Sequence, residues 1–173
     1  PVIISVGMAS LGEIESALQI YSEYGHKDII LLHCVSNYPC SDESLNLRVL
    51  ETIKKAFHLP IGYSDHSIGT EAAILSVAYG AKIVEKHFTI DKNLDGPDQS
   101  ASSTPPECAN LVNSVRRSEI MLGSPIKFCA KEEKQMRDIS RKSLFFKKSL
   151  KKGSIIRLEH LCSKRPGSGI SGN

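Results

Sequence analysis

Residues 28–39 read Asp-Ile-Ile-Leu-Leu-His-Cys-Val-Ser-Asn-Tyr-Pro, an unbroken apolar run that ends in a polar turn. An apolar run without polar alternation is typical of a strand buried on both faces of a parallel sheet. Three further predicted strands lie near residues 1–6, 60–63 and 82–88, and segments with helical periodicity separate them. This alternation predicts an α/β fold built from four βα units with parallel strands.

Capping motifs mark where two of the intervening helices begin. Ser10 with Glu13, and Thr104 with Glu107, have the spacing of capping boxes, in which each side chain bonds the other residue's backbone N–H. Gly123 ends the last of these helices. The sequence therefore predicts a first domain over residues 1–123.

The chain after Gly123 has a different pattern. It predicts a short helix over residues 131–139 and strands over 143–147 and 154–157. We interpret residues 124–142 as a linker and residues 143–173 as part of a second, small domain.

Composition excludes several classes of protein. The chain has 173 residues, 40% hydrophobic and 24% charged, and its apolar runs are far shorter than the about 20 residues of a membrane span. The five cysteines are odd in number and lack paired spacing, which favours reduced thiols in a cytoplasmic protein. Thirteen of the 22 Lys and Arg residues lie between residues 127 and 165, which we interpret as a solvated basic face rather than a nucleic-acid arm.

Polar side chains follow the predicted strands, at the edge where ligands bind in parallel sheets. His66 and His87 end neighbouring strands, and two imidazoles there suit a divalent metal acting as a Lewis acid. The alternative is that each histidine is a hydrogen-bonded residue at a strand end. His33, one strand earlier, is predicted to be a core residue or to support the site.

Strand alternation separates the neighbours of His87. Glu85 shares a face with His87 and is a candidate metal ligand or base, with a structural ion pair as the alternative, while Lys86 points the other way. Ser5 and Ser64 have hydroxyls that can donate to a phosphate. Asp98 can hold a sugar hydroxyl or fix a turn.

Five motifs occurring in order resemble the sialic acid synthase family, which includes N-acetylneuraminate, legionaminate and pseudaminate synthases. They are HCVSNYP (33–39), GYSDHSIG (62–69), GAKIVEKHFTID (80–91), GPDQSAS (96–102) and KRPGSGIS (164–171). The resemblance implies the C-terminal half of a (β/α)8 TIM barrel, followed by the beginning of an antifreeze-like (SAF) domain. It also implies a transferase that condenses phosphoenolpyruvate with an N-acetylated hexose and water to a nine-carbon 2-keto acid and phosphate.

The resemblance also implies a role for each matching residue. His66 and His87 would hold Mn²⁺ or Mg²⁺, and Tyr38 and Asp98 would line the sugar pocket. Glu85, on the same face as His87, is our candidate catalytic residue from strand alternation alone. The residues implied to bind phosphoenolpyruvate are Ser5, Ser36 and Ser64.

The matched strands correspond to the last four of the family's eight, and the family is usually a domain-swapped homodimer. The chain is shorter than the about 250 residues of a closed barrel, so we expect this chain alone to be inactive. Two alternatives are a Schiff-base aldolase, which alternation at Lys86 disfavours, and a non-catalytic carbohydrate-binding or regulatory module.

Overall fold

A computed structural model of the protein describes residues 1–172 and divides the chain into two compact units, Pro1–Gly123 and Ser124–Asn173. The first unit has four strands and four α-helices, in the order β1 (Val2–Ser5), α1 (Leu11–Glu23), β2 (Ile29–Cys34), α2 (Val49–Phe57), β3 (Ile61–Asp65), α3 (Glu71–Ala78), β4 (Val84–Lys86) and α4 (Pro105–Leu122). The second unit contains α5 (Lys134–Ser140), β5 (Ser143–Phe146) and β6 (Leu161–Lys164). Short 3₁₀ turns lie at Asp42–Ser44, Gln99–Ala101, Lys131–Glu133 and Leu158–His160.

The four strands of the first unit form one parallel sheet in the order β1-β2-β3-β4. Every strand pairs with the next one along the chain, so each helix is a crossover between adjacent parallel strands. The result is an α/β half-barrel, which confirms the predicted fold class of this unit.

Helices α1 and α2 cover one face of the sheet. Their side chains Ile14, Leu50 and Ile53 form a core with Leu31 and Ile61 from the strands. Alternate residues of each strand therefore point into this core, and those between them point to the opposite face. We call the opposite face the open face; Ile3 of β1 lies on it and is 52% exposed.

Both predicted capping boxes are present. The Ser10 and Thr104 backbone N–H groups each donate to the glutamate three residues on, at 2.8 Å. These contacts satisfy N–H groups that a helix cannot bond internally, which is why α1 and α4 begin where the sequence predicts.

The second unit corrects one prediction. Strand β5 pairs antiparallel with β6, from Ser143↔Lys164 to Phe146↔Leu161. The predicted strand over residues 154–157 is wrong, because Ile155 and Ile156 are both exposed and lie in irregular structure. In a strand, adjacent residues point to opposite faces, so Ile155 and Ile156 could not both pack on one surface. Leu161, which begins β6, is half-buried where that strand pairs with β5.

No helix between residues 1 and 172 is both long and apolar enough to cross a membrane.

Candidate active site

The carboxyl ends of β3 and β4 place the two predicted histidines side by side. In the parallel register, Ser64 lies opposite Glu85 and Asp65 lies opposite Lys86. His66 and His87 follow directly, so they share the open face with Ser64 and Glu85. The centres of the two imidazole rings are 5.3 Å apart and the rings are nearly perpendicular, at 82°.

Each histidine has an oxygen partner at Nδ1. His66 Nδ1 donates to the Val35 carbonyl at 2.9 Å, because a carbonyl oxygen can only accept. His87 Nδ1 lies 3.6 Å from Asp98 Oδ2, which is too far for a hydrogen bond. Oxygen partners at one ring nitrogen orient an imidazole so that the other nitrogen can bind a metal.

Tyr38 packs against both histidines. Its ring stacks on His87 at a centroid distance of 4.1 Å and meets His66 edge-on at 5.3 Å. Its hydroxyl lies 3.3 Å from Ser102 Oγ, and burial raises the pKa of the phenol above its usual value. Tyr38 is therefore neutral at physiological pH, and its ring forms one wall beside the histidine pair.

Ser64 and Glu85 form a second contact on the open face. Ser64 Oγ donates to Glu85 Oε1 at 2.6 Å, and Ser64 itself is buried. Among residues 1–172, Glu85 has no cationic partner within 4.0 Å, so the structural ion pair considered for it is absent. One oxygen of this exposed carboxylate is thus free to accept a proton.

Lys86 points away from Glu85, as strand alternation predicts. It makes a buried ion pair with Asp65, at 2.8 Å between Nζ and Oδ2. A lysine committed to this contact on the covered side of the sheet does not reach the open face, which disfavours the Schiff-base alternative. His33 lies on the same covered side, where its Nε2 donates to the Leu45 carbonyl at 2.8 Å and burial lowers its pKa.

The predicted phosphate-binding serines are spread along the sheet. Ser5 is exposed and shares the open face with Ser64, because it lies in register with Leu32 one row before Cys34 and Ser64. Ser36 lies beside the β1–α1 turn, where a Cβ at Gly7 would collide with its hydroxyl. Ser36 also lines a cavity of about 560 Å³ at the ends of β1 and β2. Neither Ser5 nor Ser36 contacts the histidine pair among the described residues.

Sequence reasoning missed three contributors to this site. Cys34 Sγ lies 3.7 Å from both ring nitrogens of His66, and burial raises the pKa of its thiol. Ser102 bonds Tyr38, and Asp65 is the partner of Lys86. A signal for Asp65 exists in the sequence, because residues of opposite charge immediately precede His66 and His87 on neighbouring strands.

The two histidines supply part of the ligand set of a metal ion. Within residues 1–172, no group of three or more His, Cys, Asp or Glu side chains is placed to hold one. The two imidazoles suit two positions of a divalent ion's shell, with water or substrate oxygens left for the others.

A parallel half-barrel with its polar side chains at the carboxyl edge places the chain among the βα-barrel proteins. Residues 1–127 match the NeuB family, and the chain belongs to that family.

Named relatives agree with this assignment. The chain is 45% identical over 172 residues to the N,N'-diacetyllegionaminic acid synthase of Campylobacter jejuni, a match of 98% of this chain and 52% of that protein. It is 39% identical over 165 residues to human N-acetylneuraminate-9-phosphate synthase, covering 95% and 46%. The crystal structure of the sialic acid synthetase of Leptospira borgpetersenii superposes with a TM-score of 0.71 at 42% identity, covering 78% of this chain and 47% of that one. The chain thus spans about half the length of the relatives it matches.

Proposed function

We propose that the protein supplies half of the active site of a nonulosonic acid synthase. The reaction condenses phosphoenolpyruvate with an acylamino-hexose and water, giving a nine-carbon 2-keto acid and phosphate. The observation that carries the proposal is the His66–His87 pair, 5.3 Å apart at the strand ends of a NeuB-family half-barrel. Relatives named as legionaminic, pseudaminic and sialic acid synthases support the product class.

The bond changes define what the site must do. A carbon–carbon bond forms between C3 of phosphoenolpyruvate and the aldehyde carbon of the open-chain sugar, while the C=O π bond of the aldehyde breaks and its oxygen takes up a proton. Water adds at C2 and loses a proton, and the C2–O bond to phosphate then breaks. Glu85 would accept the proton of that water; the contact that supports this role is its hydrogen bond from Ser64, which occupies only one of its carboxylate oxygens.

His66 and His87 would hold Mn²⁺ or Mg²⁺ through their Nε2 atoms. A divalent ion there would supply Lewis-acid polarisation of the sugar carbonyl. The hydrogen bond to the Val35 carbonyl supports this role for His66, because it holds one edge of the ring in place and leaves Nε2 for a ligand. The hydroxyls of Ser5, Ser36 and Ser64 would donate to the phosphate and carboxylate oxygens of phosphoenolpyruvate.

Tyr38 and Asp98 would face the sugar. The Tyr38 ring offers an apolar surface beside His87, and the Asp98 carboxylate, about half exposed, can accept from sugar hydroxyls. Substrates of the right class are N-acetylmannosamine and 2,4-diacetamido-trideoxyhexoses.

The assembly belongs to the same proposal. We propose that the unit Ser124–Asn173 contains the beginning of an antifreeze-like domain, that the whole enzyme is a domain-swapped homodimer, and that it acts in the cytoplasm without nucleic-acid or membrane partners.

Metal binding by the chain is the first test. Mn²⁺ titration followed by electron paramagnetic resonance should show binding that His66→Ala and His87→Ala each abolish. His26→Ala removes an exposed histidine far along the chain from both and is the matched control, with affinity unchanged. Equal Mn²⁺ affinity in all four proteins would contradict the assignment of the pair.

Phosphate release is the second test. The chain alone, given Mn²⁺, phosphoenolpyruvate and either acylamino sugar, should release no phosphate above background, because a half-barrel lacks the strands that complete the site. Turnover at the rate of the Campylobacter jejuni relative would refute the expected inactivity. Sugar binding that persists without Mn²⁺ binding would instead favour a non-catalytic carbohydrate-binding module.

A further inference from the structure

The covered side of β3 and β4 holds a dense polar network around Asp65. Its Oδ2 accepts from Lys86 Nζ at 2.8 Å, and its Oδ1 accepts from the Ser67 backbone N–H at 2.9 Å and from Ser67 Oγ at 2.6 Å. Lys86 Nζ also donates to the Ser67 carbonyl at 2.7 Å. The side chains of Asp65 and Lys86 are 0% and 6% exposed, so both charges are removed from water.

The residues of this network are sequence neighbours of the two histidines. Asp65 and Ser67 are the residues on either side of His66, and Lys86 directly precedes His87. The ion pair joins β3 to β4 at the last register position before the two histidines. These three residues therefore add side-chain bonds to the backbone ladder at the level of the histidines and on both sides of His66.

Stability alone does not account for a buried ion pair here. The cost of removing two charges from water offsets most of their attraction, and apolar residues of similar size often serve the fold equally well. Ala72 and Ala81 of the neighbouring apolar cluster show that this side of the sheet accommodates apolar packing. What an apolar pair cannot reproduce is the directional bonding that ties Ser67 to both strands.

We propose that Asp65 and Lys86 are positioning residues, which hold the His66 and His87 imidazoles at the spacing that binds a divalent cation. The inference rests on the proposed function, since that function assigns the metal to these two histidines. Neither residue touches the metal or the substrates, because both lie on the opposite side of the sheet from the histidine rings.

The test uses the whole chain and the double variant Asp65→Leu/Lys86→Met, which removes the network without leaving a lone buried charge. Mn²⁺ affinity is measured by electron paramagnetic resonance, and stability by urea unfolding of the same samples. The matched control is Lys92→Met, which breaks a Lys–carboxylate contact of similar length, 2.7 Å to Glu107, away from the strand ends.

The two measurements distinguish an effect on the spacing of the histidines from an effect on the stability of the fold. The double variant should unfold near the urea midpoint of the parent chain, and its Mn²⁺ dissociation constant should rise about 10- to 100-fold, the range for residues that orient metal ligands. Lys92→Met should change neither quantity appreciably.

Two other results overturn the inference in distinguishable ways. If the double variant binds Mn²⁺ as tightly as the parent, the network does not position the histidines, and the proposed function stands. If the parent chain itself does not bind Mn²⁺, there is no metal pair to position, and the metal assignment of the proposed function falls as well.

A double variant that fails to fold is replaced by Ser67→Ala, which removes one hydrogen bond to Asp65 while keeping both charges. Unchanged Mn²⁺ affinity in Ser67→Ala would then overturn the inference, and weakened affinity in a folded chain would support it.

Discussion

Two lysine–carboxylate pairs in the first unit have almost the same length and opposite surroundings. Lys86 and Asp65 are 2.8 Å apart with side chains 6% and 0% exposed, whereas Lys92 and Glu107 are 2.7 Å apart at 38% and 49%. The buried pair joins two strands beside the histidines, and the exposed pair joins a loop to the first turn of α4. Contact distance therefore says little about what a pair contributes, because water screens one pair and is excluded from the other.

The largest expected effect comes from breaking the buried pair on one side only. Lys86→Met should lower the free energy of unfolding by about 3–5 kcal/mol, because Asp65 is left as an uncompensated buried charge. Lys92→Met should lower it far less, since the Glu107 carboxylate is solvated. Urea unfolding followed by circular dichroism measures both. Equal losses in the two variants would show that burial does not distinguish the pairs.

A buried side chain without a charged partner extends the comparison. His33 is 7% exposed and burial lowers its pKa below 6.5, so the unfolded chain takes up the proton first as pH falls. Stability should therefore decrease as pH drops below about 6.5.

His33→Gln isolates this effect, because glutamine keeps an N–H donor for the Leu45 carbonyl and does not titrate. Its urea midpoint should change less between about pH 8 and about pH 5 than that of the parent chain. The same decrease in both proteins would assign the pH dependence to other groups.

The smallest expected effect belongs to the exposed pair. The hydrogen bond from Lys92, followed by those from the Thr104 backbone and hydroxyl, lowers the pKa of Glu107 from 4.5 to about 2. A lowered carboxyl pKa stabilises the fold above the unfolded value, and this stabilisation is lost as pH falls from 4.5 toward about 2.

Glu107→Gln should flatten stability over that acid range and lower it slightly at neutral pH, where the ionised Glu107 makes its contacts to Lys92 and Thr104. Thermal unfolding of the parent chain and of Glu107→Gln at several acid pH values measures this difference. An unchanged acid dependence would mean that other carboxyls govern this range.

The sequence is sufficient for elements that depend on local patterns. The run Ile29–Cys34 is a strand over the predicted residues because its apolar character is continuous, and α1 begins after Ser10 because its capping box is local. The predicted strand over residues 154–157 is absent because strand propensity alone does not supply a packing surface. Their β-branched pair Ile155–Ile156 has strand propensity, but neither side chain finds a surface to pack on.

Contacts between strands depend on register, which single-strand patterns do not contain. Alternation within β4 correctly separates Glu85 from Lys86, but only the offset of β4 against β3 decides that Lys86 meets Asp65. The position of Asp98 beside His87 likewise depends on the path of the loop over residues 89–103, which no periodicity specifies. The strand ends were therefore predictable, and the partners of their side chains were not.

The stacking of Tyr38 on His87 gives the protein a built-in optical reporter. The sequence contains no tryptophan, so its near-ultraviolet absorption comes mainly from five tyrosines. Tyr38 is the tyrosine whose ring contacts both histidines of the pair. A ligand that binds at His87 changes the surroundings of that chromophore, so occupancy can be followed by a difference spectrum without any added label.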